Sequence, residues 1–76
     1  MHAAQIEKMI KSGLPDAEVV VTGDDGVHFE ATVVSEAFRG KSMLEQHRMV
    51  YATLGDSVET AAIHALALKT RVSKAS

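Results

Sequence analysis

The chain has 76 residues, ten acidic and eight basic, for a formal net charge of −2. That length holds one small domain, 1–76, and the missing basic excess argues against a protein whose main task is to coat nucleic acid. With no cysteine, neither a disulfide nor a thiolate metal site can form from this chain alone.

Ala3, Ile6, Met9 and Ile10 recur at spacings of three and four, with Glu7, Lys8 and Lys11 between them. This is the pattern of an amphipathic helix over His2–Leu14, stopped at Gly13 and Pro15. Ala17–Thr22 carries three consecutive valines and reads as a strand. Gly23-Asp24-Asp25-Gly26 is a turn, with two glycines available for positive φ. From Val27 to Ser35 apolar Val27, Phe29, Ala31 and Val33 alternate with His28, Glu30 and Thr32, which predicts a half-buried strand hairpinned to the first.

Ser42 with Glu45 three residues on is a capping box, opening a helix that runs to Leu54 and stops at Gly55. Leu44, His47, Val50, Tyr51 and Leu54 are its expected apolar stripe. A further helical turn is expected within Ser57–Ala62. Ile63–Thr70 reads as a third strand, apolar on both faces and therefore central or covered. Residues 71–76 are small and polar and are expected to fray. A helix between the second and third strands is the usual crossover of a parallel pair. Neighbouring parallel strands would bring His28 and His64 to one end of the sheet.

Four blocks in order resemble the BolA-like proteins: Val27-His28-Phe29; Val33 to Gly40, with Ser35-Glu36-Ala37-Phe38 at its centre; Gln46 to Tyr51; and Ile63-His64-Ala65-Leu66. The resemblance spans nearly the whole chain. It implies an α+β domain of αββαβ order, similar to a type II K-homology fold, with a three-stranded mixed sheet and helices on one face. It also implies a monothiol glutaredoxin as partner, and a 2Fe–2S cluster shared with that partner and glutathione. The associated roles are iron–sulfur trafficking, iron regulation and stress response, with transcriptional regulation in some members. The sequence is similar to the short-loop, acid-stress-type branch. It lacks a histidine or cysteine in the loop between the first two strands, has Gln46 at the first position of a triplet that is commonly Arg-His-Arg, and stops at Ser76, where many members continue into a final helix.

His64 matches the signature histidine of the family and is the first candidate cluster ligand. His28 is the second, which the resemblance implies because the short loop between the first two strands carries no histidine or cysteine; neutral imidazole is a common nitrogen ligand for iron. Without cysteine the cluster's thiolates must come from the partner, and no cofactor is expected in the isolated protein. His47 is expected to pack on its helix, and His2 to be solvated. Arg39, Lys41 and Arg48 surround the start of the second helix and form the alternative, a nucleic-acid-binding patch with DNA as partner. Asp24 and Asp25 argue against a phosphate grip at the Gly-X-X-Gly turn, which K-homology domains use. No nucleophile–base, Walker or His-Glu-X-X-His pattern is present, so an enzyme is not expected. No apolar run of membrane-spanning length and no signal-peptide pattern is present, and a cytoplasmic chain that is a monomer or weak dimer when isolated is expected.

Overall fold

A computed structural model describes residues 2–23, 28–55 and 66–73. The elements are α1 (Ala3–Gly13), β1 (Glu18–Thr22), β2 (Phe29–Val34), a single 3-10 turn (Glu36–Phe38), α2 (Met43–Leu54) and β3 (Leu66–Arg71). The strands form one sheet in the order β1-β2-β3. β1 runs antiparallel to β2, with Val19 opposite Val33 and Val21 opposite Ala31. β3 runs parallel to β2, with Phe29 opposite Leu66 and Val33 opposite Thr70. The mixed α+β architecture expected from the sequence is therefore present, including the parallel crossover.

Both helices cover one face of the sheet. Ile6 and Ile10 of α1 and Val50 and Leu54 of α2 join Val19, Phe29, Ala31, Val33 and Leu66 in a single core with Phe38. The opposite face carries Glu18, Val20, Glu30, Lys69 and Arg71, all exposed. Alternation explains this division, because every second strand residue turns to the same side. α1 approaches α2 so closely at Gly13 that a Cβ there would collide with the side chain of Thr53. Gly13 serves this helix contact and not a left-handed stop, since its φ is not positive.

Burial and pairing revise further expectations. β3 is an edge strand with one buried face: Leu66 and Thr70 are buried and Leu68 is half-buried, while Ala67, Lys69 and Arg71 are exposed. Ala67 is small enough to stand in water at little cost, so the apolar run misstates the burial. The expected frayed end starts too early. Arg71 closes β3, its carbonyl accepts from the Ser35 amide at 3.0 Å, and the Ser73 amide donates to the Ser35 carbonyl at 3.3 Å. The stripe of α2 is displaced, with Gln46, Val50 and Leu54 buried and Leu44 60% exposed. Gln46 can be buried because its Nε2 donates to the Lys41 carbonyl (2.9 Å) and its Oε1 accepts from the Thr70 hydroxyl (2.7 Å). A polar side chain paired at both ends tolerates burial, which a hydrophobic period cannot detect. The expected turn at 57–62, the first three residues (63–65) of the expected third strand and residues 74–76 of the expected frayed end lie outside the described residues.

The capping box of α2 forms as expected. The Ser42 amide donates to Glu45 Oε1 and the Glu45 amide to Ser42 Oγ, each at 3.1 Å. Gly55, with φ of 55°, ends the helix. Hydrogen bonding to Ser42, and more weakly the charges of Lys41 and Arg48, hold the Glu45 carboxyl below its ordinary range. A lowered folded-state value contributes stability above the unfolded pKa of about 4.3, and that stability is lost as pH falls through the folded value. Wild-type protein should therefore lose more thermal stability than Glu45→Gln between about pH 5 and pH 3. Melting curves of the two across that window check this, and parallel curves would remove Glu45 as the titrating cap.

Candidate functional site

The block Val33–Gly40 has a structural basis. Ser35 is fully buried at the end of β2. Its hydroxyl lies 3.1 and 3.0 Å from the two Asp16 carboxylate oxygens and accepts from the Ala37 amide at 3.1 Å. Asp16 Oδ2 also accepts from the Glu36 amide at 3.0 Å. The α1–β1 connection is thereby pinned to the 3-10 turn, and Phe38 enters the core with no exposed surface. Sequence reading gave Asp16 no role. An aspartate 19 residues before its serine partner leaves no local pattern.

At the other end of the sheet, β2 and β3 begin side by side. Phe29 begins β2 and lies opposite Leu66, which begins β3, so the segments entering both strands reach the sheet at the same end. His28 immediately precedes Phe29 and is exposed. His64 stands two residues before Leu66 in the sequence and lies outside the described residues, as do Asp24, Asp25 and Gly26 of the turn. Among the described residues no group of three or more His, Cys, Asp or Glu could hold a metal ion. Among the described residues at this strand end, His28 offers an exposed imidazole.

Gly23 positions His28, and its reason differs from the one expected. It has no positive φ. A Cβ at this position would sit 2.6 Å from the His28 carbonyl oxygen and 2.6 Å from Phe29 Cδ1. Only hydrogen fits where the end of β1 passes the start of β2.

The other histidines and the basic patch resolve differently. His2 is exposed at the start of α1, where its amide donates to Gln5 Oε1 at 2.8 Å. His47 is half-buried, and its Nε2 is closed to solvent with no hydrogen-bond partner among the described residues. That nitrogen cannot meet a ligand arriving from outside. Arg39, Lys41 and Arg48 are all exposed near the start of α2. Arg39 is engaged by Glu36 through two hydrogen bonds, from Nε to Oε1 and, at 3.0 Å, from Nη2 to Oε2. These bonds push the Glu36 carboxyl down and the Arg39 guanidinium up from their ordinary values. Glu45 lies within the electrostatic reach of Lys41 and Arg48. Two carboxylates are thus interleaved with the three cations, and the first-turn amide of Glu45 is already capped. Phosphate at Arg39 would have to displace Glu36.

The fold is that of a small α+β domain, a three-stranded mixed sheet with two helices on one face. A family model described as BolA-like protein matches residues 1–75, and the chain belongs to that family. It is 46% identical to "Protein BOLA2" of Arabidopsis thaliana over 68 residues, covering 86% of this chain and 71% of the relative. It is 33% identical to "Acid stress protein IbaG" of Escherichia coli over 69 residues, covering 91% and 81%. A shorter match, 46% over 43 residues, joins it to the "DNA-binding transcriptional regulator BolA" of E. coli, covering 57% and 40%. Among solved structures, a BolA homologue from Coxiella burnetii superposes with a TM-score of 0.80 at 38% identity, covering 95% of this chain and 91% of that one. No helix among the described residues is long and apolar enough to cross a membrane.

Proposed function

We propose that this protein is a non-catalytic adaptor that binds a monothiol glutaredoxin and shares a 2Fe–2S cluster with it as cargo, in iron–sulfur trafficking, iron regulation or stress response. His64 is the first ligand and His28 the second. The observation that carries the reading is the parallel register of β2 and β3, in which Phe29 lies beside Leu66 and the exposed His28 adjoins that strand end. The donor set supports it from another side. A chain without cysteine contributes only nitrogen of this kind, so the thiolates come from the glutaredoxin and glutathione. Imidazole in place of thiolate raises a cluster's reduction potential and makes it sensitive to acid, because protonated imidazole cannot coordinate. A relative named as an acid stress protein is consistent with such sensitivity.

The test is co-purification with a monothiol glutaredoxin, with and without glutathione. A brown heterodimer is expected only when glutathione is present. His64→Ala should alter its charge-transfer spectrum and shorten the cluster lifetime by about tenfold or more, since losing a direct ligand costs at least what losing a residue that only orients one does. The wild-type complex should release iron at about pH 5.5 and keep it at pH 8. An unchanged spectrum and lifetime in His64→Ala would remove the ligand assignment, and a colourless heterodimer would leave a protein-binding module without metal.

The relative named as a DNA-binding transcriptional regulator favours a second reading, in which Arg39, Lys41 and Arg48 contact nucleic acid. Its signature is a high 260-nm absorbance after purification and a salt-sensitive shift confined to a specific DNA site. The Glu36 and Glu45 carboxylates within the patch weigh against it.

A further inference from the structure

We propose that Met43 is a peroxide-sensitive modification site whose oxidation is transmitted to the buried contact between α2 and β3. Met43 opens α2 and is 58% exposed, whereas Met9 and Met49 are partly buried against the core. Exposure governs how readily a thioether meets peroxide. The sulfur of Met43 is also tied to the interior. Thr70, buried on β3, has its hydroxyl oxygen 3.4 Å from Met43 Sδ and 2.7 Å from Gln46 Oε1. That hydroxyl has one hydrogen and two candidate acceptors. In the thioether state the amide oxygen is the nearer and stronger acceptor, and Gln46 stays paired at both ends.

Oxidation changes this competition. The thioether sulfur takes one oxygen atom from hydrogen peroxide, the O–O bond breaks, and water leaves. Sulfur is oxidised by two electrons and the peroxide is reduced by two. A thiol-dependent reductase reverses the step by forming a disulfide and releasing the oxygen as water. The sulfoxide oxygen is a far better acceptor than a thioether, and it is created beside the Thr70 hydroxyl. When it draws that hydrogen, the buried Oε1 of Gln46 loses its donor, which destabilises the join between the start of α2 and β3.

The experiment is titration of the intact protein with hydrogen peroxide, followed by peptide mass mapping and thermal melting. The +16 Da mass should accumulate on the Met43 peptide well before the Met9 and Met49 peptides. The melting temperature of the oxidised wild type should fall by several degrees and recover on treatment with a methionine sulfoxide reductase and thiol. Met43→Leu keeps the volume of the side chain and every other methionine, and should show no such fall. Thr70→Val, which removes the transmitting hydroxyl, should retain oxidation at Met43 but lose most of the further thermal shift. Oxidation of Met9 or Met49 at the same rate, or an equal melting shift in Met43→Leu, would overturn the proposal.

Discussion

Phe38→Ala should lower stability by about 3–5 kcal/mol, the usual cost of emptying a large aromatic site in a core. Phe38 has no exposed surface and is carried into the interior by the Ser35-capped turn. A domain of this length has a total stability of roughly 4–11 kcal/mol, so the loss takes from about a quarter to all of it. Its melting temperature should drop by at least about 12 °C, given about 4–8 °C per kcal/mol in small domains. Leu44→Ala provides the contrast. Leu44 fits the apolar period of α2 yet stands in solvent, and its truncation should change stability by about 0.5 kcal/mol or less. Thermal melts of the two variants decide between the pattern and the packing. A Phe38→Ala melt within a few degrees of wild type would mean that residue 38 is not the plug of this core.

Gly23→Ala should disturb both the fold and the rim that carries His28. The added methyl meets the His28 carbonyl and the ring of buried Phe29, and neither can move without shifting the β1–β2 pairing. The expected cost is about 1–3 kcal/mol, typical of forced overpacking. Urea denaturation reads the stability. Iron release from the glutaredoxin complex reads the site, and it should be faster in the variant because the backbone of His28 is displaced. His28→Ala, which leaves the backbone free of strain, separates the two effects. It should speed iron release while leaving the urea midpoint near that of wild type. Wild-type stability in Gly23→Ala would show that the strand ends are not packed as tightly as the distances require.

Much of the fold was legible from local chemistry. Ser42 and Glu45 announced the start of α2, and the alternation from Phe29 to Val33 identified the buried face of β2. The helix between β2 and β3 implied their parallel pairing. Each of these follows from near neighbours in the chain: a cap spans three residues, a strand repeats every two, and a crossover has a preferred sense. The site was legible in part. His28 was assigned to the exposed side of its strand and is exposed, while His64 depended on resemblance to a family and lies outside the described residues.

From the residues alone it follows that this chain can bring no thiolate to a metal, and the order of helices and strands follows as well. Tertiary structure alone decided that Gln46 is buried and Leu44 exposed, that β3 is an edge, that Asp16 locks Ser35, and that Gly23 is needed for room and not for φ. These are outcomes of pairing between residues far apart in the chain. A polar group's burial depends on whether a distant partner satisfies it, and a glycine's necessity depends on what backbone arrives beside it.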